Sequence, residues 1–195
     1  MPEKTDWQPF DGPLIVRPTS KDLINVFGNP SNKGVEDRQW VKDNIVAFHG
    51  ANALPGTNPN AWLQVHRVIV PYLTEALRRA AIGAPGYKIE VIVGYVFRHM
   101  RHDPNLPLSN HSFGIAVDIN PKKNFAQTLK KTPAAWSDEW KSMYPNGVTP
   151  GLVAAFTSCG FAWGSDWDED GLAQDHTYCD PMHFEFVERG GHRFV

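Results

Sequence analysis

The chain has 195 residues, of which 42% are hydrophobic and 21% are charged. This composition is that of an ordinary globular protein and leaves room for one domain with a substantial core. Nineteen lysines and arginines against 21 aspartates and glutamates give a net charge of −2, which argues against a nucleic-acid-binding protein. No apolar run is long enough for a membrane span, and the opening residues lack the apolar core of a secretory signal.

The first part of the chain, residues 1–60, is rich in proline, glycine and asparagine. This composition predicts a loop-rich N-terminal extension that packs on a core formed by later residues. No internal repeat, low-complexity tract or flexible linker marks a second domain. We therefore expect a single domain over residues 1–195 and a monomeric protein.

The following elements are predicted from the spacing of apolar residues. Residues 66–81 have helical spacing, and Pro71 fits there only in the first turn or at a kink. Residues 88–97 are β-branched and aromatic, which predicts a buried strand. Residues 115–120 and 182–187 alternate between apolar and polar side chains and predict two further strands.

Two helices are predicted between these last two strands. Thr132 and Pro133 open the first helix as N-cap and first helical residue. Thr149 and Pro150 open the second in the same way, and Gly160 ends it. The elements together predict an α+β fold, a small antiparallel sheet with helices packed on one face.

Two segments carry residues suited to metal chemistry: SNHSFGIAVDIN, residues 109–120, and DPMHFEF, residues 180–186. If their strands pair with the polar faces together, His111, Asp118 and His183 converge. Two imidazoles and one carboxylate are a usual protein ligand set of a catalytic zinc, which keeps an open position for water. The alternatives are a surface or capping histidine and an Asp118–arginine ion pair, because a carboxylate in a sheet needs a partner.

The cysteines do not suggest a sulfur-ligated site. Cys159 and Cys179 are too few for a disulfide framework and lack the close pairing of a thiolate zinc site. Cys159 falls on the apolar face of a predicted helix, which indicates a buried free thiol. A bridge between the two cysteines remains the other possibility.

The two segments resemble the zinc D-alanyl-D-alanine carboxypeptidase and L-alanyl-D-glutamate endopeptidase family. This family includes D-Ala-D-Ala dipeptidases and many phage lysins, and it shares its fold with the amino-terminal signalling domain of hedgehog. Its pattern, Ser-x-His-x-x-Gly-x-Ala-x-Asp, is matched at every fixed position from Ser109 to Asp118. Its second motif, an acidic residue three positions before a histidine, is met by Asp180 and His183. The resemblance covers residues 60–187.

The resemblance implies that His111, Asp118 and His183 bind Zn²⁺ and that Asp180 is the general base. A carboxylate one water away from the metal could take the proton and pass it to the departing amine. The alternative role for Asp180 is to cap the turn at Pro181.

Relatives also use an arginine upstream of the first histidine to stabilise the oxyanion. Arg98 follows a predicted strand directly and is our candidate, with Arg101 as the alternative. Tyr178 departs from relatives that have a histidine two residues before the base, and its phenol could bind a substrate carbonyl. Glu185, on the same strand face as His183, is expected to support that ligand.

Other histidines and tryptophans give weaker signals. His66, His102, His176 and His192 are expected at the surface, and the alternative for His102 and His176 is that they line the cleft, since they are near the motifs in sequence. Two tryptophans, Trp163 and Trp167, could line a groove that binds a peptide or sugar, or could pack in the core.

The function implied by the resemblance is a zinc metallopeptidase acting on the stem peptide of peptidoglycan, without nucleic acid or a membrane span. One alternative is a non-catalytic zinc-stabilised binding module of the hedgehog-like fold, which would not need a base such as Asp180. Another is a cytosolic D-Ala-D-Ala dipeptidase. The lack of a signal peptide fits cytoplasmic synthesis and action at the cell wall if the protein is a phage-type lysin.

Overall fold

A computed structural model describes residues 20–50, 62–129, 133–166 and 178–187 of the chain. Within these ranges the α-helices are α1 (Ser20–Phe27), α2 (Arg38–Asn44), α3 (Val70–Gly83), α4 (Asp138–Met143) and α5 (Pro150–Thr157). The strands of the same ranges are β1 (Ser31–Asn32), β2 (Val35–Glu36), β3 (Ile45–Phe48), β4 (Leu63–His66), β5 (Ile92–Val93), β6 (Ala116–Ile119), β7 (Gln127–Thr128), β8 (Phe161–Trp163), β9 (Tyr178–Cys179) and β10 (His183–Phe186). Each described helix is too short or too polar to cross a bilayer.

The largest sheet has four antiparallel strands in the order β5-β6-β10-β8. Its central pair is formed by the two strands predicted from alternation, and the register sets His183 directly opposite Asp118. Because neighbouring residues of a strand point to opposite faces, Phe184 lies on the other face, where its ring packs 4.6 Å from that of Phe156 in α5. Tyr72 of α3 packs at 4.6 Å from Phe186. The predicted α+β fold is confirmed.

The strand predicted over residues 88–97 is much shorter than expected, because β5 contains only Ile92 and Val93. Beyond it, the backbone of this segment bonds to other partners. Tyr95 N–H donates to the carbonyl of Gln64, and Val96 N–H donates to the carbonyl of His111. Ile89 and Ile92 of this segment are buried, whereas Val91 and Val96 are exposed, so its apolar composition indicated neither a long strand nor a fully buried one.

Residues 20–50 contain more regular secondary structure than the composition of residues 1–60 predicts. Residues 20–50 form α1, a β1–β2 hairpin, α2 and β3 instead of a loop-dominated segment. Asp37 caps α2 by accepting bonds from the N–H groups of Gln39 and Trp40. Leu23 and Phe27 of α1 are buried in the main core. The rest of residues 1–60 lies outside the described residues, and the single domain stays a prediction.

The helix predicted to start at Thr132 and Pro133 begins later, and Thr132 itself lies outside the described residues. α4 starts at Asp138, and Ser137 caps it by accepting from the N–H of Trp140. Trp136 has a φ of 61°, a left-handed conformation that no α-helix includes. The predicted N-cap, Thr132, therefore lies five residues before the observed N-cap, Ser137.

The other two helix predictions agree better with the structure. α5 begins at Pro150 with Thr149 as its N-cap, as predicted, and Gly160 lies three residues beyond its end with a φ of 90°. In the segment 66–81, His66 ends strand β4 and α3 runs from Val70, with Pro71 in its first turn.

Candidate metal centre

Pairing of β6 with β10 brings the residues of the two motifs into one cluster. His111, Asp118 and His183 are all buried, and they offer one ligand atom each within 4.8 Å of one another. The imidazole rings of the two histidines lie 5.2 Å apart between centroids. The structure thus places together the three side chains that the sequence pattern selects.

His111 lies in a short 3₁₀ turn, Asn110–Phe113, that leads into β6. Its Nδ1–H donates to the carbonyl of Gly94 over 2.7 Å, because a carbonyl can only accept. The other ring nitrogen, Nε2, is buried without a hydrogen-bond partner and lies 3.2 Å from Asp118 Oδ1. This nitrogen therefore presents a free lone pair to the centre of the cluster.

The turn after His111 depends on Gly114, which has a φ of 69°. A Cβ at this position would lie 2.6 Å from Ile45 Cδ1 and 2.7 Å from the backbone nitrogen of His66. His66 N–H donates to the Gly114 carbonyl over 2.8 Å. Strands β3 and β4 therefore pack directly against the turn that orients His111.

Asp118 lies between the two imidazoles. Its Oδ1 is 3.2 Å from His111 Nε2 and 3.1 Å from His183 Nδ1. Burial opposes ionisation of this carboxyl, but the two histidines outweigh that effect and hold its pKa below the usual range. The carboxylate is thus charged and aimed at the point where both ring nitrogens meet.

His183 is held at both ring nitrogens. Its Nε2–H donates to Glu185 Oε2 over 3.0 Å, and the same carboxylate oxygen accepts from Asn110 Nδ2 over 2.7 Å. Burial lowers the pKa of His183, but Asp118 and Glu185 outweigh it and raise that pKa to about 10. Without a metal, His183 is therefore protonated on both ring nitrogens, and its positive charge lies beside Asp118, where a metal cation would otherwise lie.

The donor set fits a zinc ion. Two imidazole nitrogens and one carboxylate oxygen with a further open position are the usual environment of a catalytic zinc. The unpartnered Nε2 of His111 is an independent sign, because a buried lone pair without a donor is costly unless a cation takes it. The supporting hydrogen bonds to Gly94 and Glu185 fix which nitrogen of each ring would face a metal ion.

Sulfur does not take part in this cluster. Cys159 and Cys179 are both buried free thiols. Cys179 Sγ lies 3.2 Å from the hydroxyl of Ser165, and burial raises the pKa of its thiol. The thiols stay protonated near neutral pH, which suits packing rather than metal ligation.

Asp180 lies on the approach to β10, next to the cluster but outside it. Its Oδ2 is 3.5 Å from the hydroxyl of Tyr178, whereas its Oδ1 is buried without a hydrogen-bond partner. Burial raises the pKa of this carboxyl to about 6, with His183 opposing the shift and Asp118 adding to it. Such a group holds a proton more readily than an ordinary aspartate, as a general base near neutral pH should.

The two candidate arginines are positioned differently. The backbone N–H of Arg98 donates to Ser112 Oγ over 2.8 Å, and its carbonyl accepts from Ser109 N–H over 3.0 Å. Arg98 is thus fixed beside the turn that carries His111. Arg101 lies further along the same loop, and its guanidinium carbon is 5.4 Å from the centre of the Tyr178 ring.

The remaining predictions have mixed outcomes. His66 was expected at the surface, but it is 3% exposed, because its ring packs against Phe27 and Trp40. His102 is exposed, as expected. Trp163 packs in the core and donates to the carbonyl of Pro181, whereas Trp167, His176 and His192 lie outside the described residues.

Sequence reasoning missed two groups that support the centre, the Gly94 carbonyl and the Asn110 side chain. The requirement for glycine at position 94 is visible only in the folded protein, where a Cβ would lie 2.2 Å from the Gln64 carbonyl oxygen. Asn110 lies beside a candidate ligand, but its partner Glu185 is 75 residues away along the chain. A local pattern does not reveal such a pair.

Comparison with known proteins agrees with the motif pattern. Residues 102–186 match the model of a protein family described as D-alanyl-D-alanine carboxypeptidase. No curated protein and no solved structure matches the chain significantly. The family resemblance is confirmed over the matched residues, which include the buried cluster and Asp180 and begin just after Arg101. The match supports a peptidase of this kind.

Proposed function

We propose that this chain, whose residues 102–186 match a D-alanyl-D-alanine carboxypeptidase family, is a zinc metallopeptidase that hydrolyses peptidoglycan stem peptides. The bond cut would be of the D-Ala-D-Ala carboxypeptidase or the L-Ala-D-Glu endopeptidase type. One observation carries the proposal. A buried His-Asp-His cluster with a free imidazole lone pair lies beside Asp180, a carboxyl with an unpartnered oxygen.

In this proposal His111 Nε2, Asp118 Oδ1 and His183 Nδ1 hold the zinc ion. A zinc ion in such a site lowers the pKa of water toward 7 and polarises the scissile carbonyl. Gly94 and Glu185 orient the two imidazoles from behind through the hydrogen bonds described above.

Asp180 acts as the general base. Its unpartnered Oδ1 accepts a proton from the attacking water as the new C–O bond forms at the substrate carbonyl. The same carboxyl then gives this proton to the amide nitrogen as the C–N bond breaks. The products are a new carboxyl group and a free amine; the carboxyl proton passes to the amine on release, and Asp180 ends the cycle ionised, as it began.

Arg98 supplies positive charge for the oxyanion. The carbonyl oxygen becomes negative when water adds, and a fixed cation in a partly buried site stabilises that charge. The backbone of Arg98 is bonded to Ser109 and Ser112, on either side of His111, so the arginine and the metal ligand are held in one rigid unit.

A digest of purified peptidoglycan tests this function. The zinc-loaded protein is expected to release terminal D-alanine or to expose D-glutamate amino termini, both of which mass spectrometry of the fragments identifies. Removal of the metal with a chelator should abolish cleavage, and added zinc should restore it. A metal-loaded, folded protein that cleaves no stem peptide would contradict the proposal and favour the binding module.

A further inference from the structure

The turn that joins Asp180 to His183 carries both the proposed base and a proposed metal ligand. The N–H of His183 donates to the carbonyl of Asp180 over 3.0 Å, which closes a β-turn with Pro181 at its second position. Proline favours that position because its φ is already fixed near the value that the turn requires. The distance between the base and the ligand is therefore set by the shape of four consecutive residues.

Gly164, which directly follows strand β8, fixes both ends of this turn. The Asp180 N–H donates to the Gly164 carbonyl over 2.9 Å, and the Gly164 N–H donates to the His183 carbonyl over 2.8 Å. A Cβ at Gly164 would lie 2.5 Å from the Asp180 carbonyl oxygen and 2.9 Å from His183 Cβ. The turn therefore packs directly against the backbone at the end of β8, with no room for a side chain between them.

The two central residues of the turn are held as well. The Met182 N–H donates to the Asn124 carbonyl over 3.2 Å, and the Met182 carbonyl accepts from the Ile119 N–H over 2.9 Å. The Pro181 carbonyl accepts from the indole N–H of Trp163 over 3.0 Å. With these bonds every backbone N–H and carbonyl of the turn has a partner, and the Trp163 indole is the one partner that is a side chain.

Trp163 is itself held in one orientation. It is 3% exposed, and its ring stacks on that of Trp136 at 5.5 Å and packs edge-on against Trp140 at 5.7 Å between ring centres. A buried indole N–H normally requires a hydrogen-bond partner, and a buried carbonyl without a donor is costly. The bond from Trp163 to Pro181 therefore ties the turn to a rigid aromatic cluster in the core.

We propose that Trp163 is a positioning residue, which holds Asp180 at a fixed distance from the metal ligands through the Pro181 carbonyl. The inference rests on the proposed function, in which Asp180 transfers a proton at the metal centre. Misplacement of a reacting group by about 1 Å can lower a rate by roughly 10²-fold. Zinc binding should depend much less on Trp163, because Glu185 orients the His183 ring from behind.

The first test is Trp163→Phe, which keeps an aromatic ring in the core and removes the N–H donor. We expect kcat on a stem peptide to fall about 10- to 100-fold, with little change in KM or in the zinc affinity measured with a chelating dye. Trp140→Phe removes the same volume from the same cluster but not this donor, so its kcat should stay close to that of the parent. An equal loss of kcat in both variants would overturn the inference, because packing would then be the cause. A higher KM with unchanged kcat would also overturn it, because Trp163 would then contact substrate.

A second variant removes the hydrogen bond alone. Site-specific incorporation of 3-benzothienyl-L-alanine at position 163 keeps both fused rings and replaces the indole N–H with sulfur, so the core packing is preserved. This variant should reproduce the fall in kcat of Trp163→Phe with zinc retained. Parental kcat in this variant would show that the bond to Pro181 does not position the base.

Hydrogen exchange of the zinc-loaded proteins gives a readout that does not need turnover. The amides of Met182 and His183 should exchange about tenfold faster in the position-163 variants than in the parent, the change expected for loss of one buried hydrogen bond. The Phe186 N–H, which donates to the Ile115 carbonyl further along β10, is the reference and should keep its parental rate. Unchanged exchange at the turn, or an equal rise at Phe186, would overturn the inference. If the parent cleaves no stem peptide, the proposed function fails, and the exchange rates still decide whether Trp163 holds the turn.

Discussion

The metal-ligand side of the site and the side that carries Asp180 are held in different ways. On the ligand side, the outward nitrogen of each imidazole is bonded to a protein acceptor, Gly94 O for His111 and Glu185 Oε2 for His183. On the base side, Asp180 has one oxygen without a partner and only a long contact, 3.5 Å, to Tyr178 at the other.

This difference fits the roles proposed for the two sides. Ligands must stay in one orientation and one tautomer, so hydrogen bonds from behind are an advantage. A proton-transfer group must bind and release a proton, so a lone pair that no donor occupies and a raised pKa are the advantage. The two sides should therefore respond differently to substitution.

The largest effect is expected on the ligand side. His183→Ala removes one of three donors and leaves Asp118 facing a single imidazole, so most bound zinc and all measurable hydrolysis should be lost. Elemental analysis of the purified protein checks the metal content, with His49→Ala, at an exposed histidine, as the matched control. Full retention of zinc in His183→Ala would show that the ligand assignment is wrong.

The base side should lose activity without losing metal. Asp180→Asn keeps the shape of the side chain but removes the proton acceptor, so turnover should fall by about 10²- to 10⁴-fold while zinc content is unchanged. Asp138→Asn, at an exposed carboxyl, is the control. Steady-state kinetics and zinc analysis on the same preparations measure both. An Asn variant as active as the parent would refute the mechanism.

The parent and Asp180→Asn should also differ in how their turnover depends on pH. A base works in its ionised form, and burial raises the pKa of Asp180 to about 6, so parental turnover should fall as the pH drops through that region. A cation bound nearby moves this fall in turnover toward lower pH. The residual activity of Asp180→Asn should not show the fall, and a pH–rate profile of both proteins measures the difference.

A smaller effect is expected for the support of His183. Glu185→Gln keeps an oxygen acceptor for the ring but removes the negative charge behind it, so zinc affinity should fall about 10- to 100-fold. Competition with a chelating dye measures the affinity, and Glu139→Gln, at an exposed site on α4, is the control. An unchanged affinity would mean that the Glu185 contact does not orient the ligand.

The last prediction concerns stability rather than activity, in the segment behind the ligand turn. Burial lowers the pKa of His66 to about 4 from 6.5, partly offset by the Phe27 carbonyl. Between these pH values the unfolded chain binds more protons than the folded one, so the free energy of unfolding should fall as the pH drops from 6.5 to 4. The total loss is about 3 kcal/mol, from roughly 1.4 kcal/mol per pH unit.

His66→Asn should remove most of that pH dependence, since the Asn oxygen still accepts from the Val68 N–H that now donates to His66 Nδ1. Urea unfolding at several pH values measures the slope, and His49→Asn should leave it as in the parent. A slope that is the same in parent and His66→Asn would show that this buried histidine is not the source.

The chemistry-bearing residues were predictable because their signal is local. Alternation along residues 115–120 and 182–187 put Asp118 and His183 on the polar faces of two strands, and the observed pairing sets them opposite each other. Helix α5 was also predictable, from Thr149 and Pro150. The start of α4 was not, because the choice between Thr132 and Ser137 as N-cap depends on how Trp136 stacks on Trp163, 5.5 Å away between ring centres.

Strand alternation and the spacing within each motif are properties of a few neighbouring residues, so they were enough to predict which groups meet at this site. The protonation and orientation of those groups came instead from contacts made in the folded protein. The proton position on His111 depends on the carbonyl of Gly94, the raised pKa of Asp180 depends on burial, and the place of Arg101 depends on Tyr178. Each of these contacts joins segments that are distant along the chain, and burial and hydrogen-bond partners are fixed only when those segments pack together.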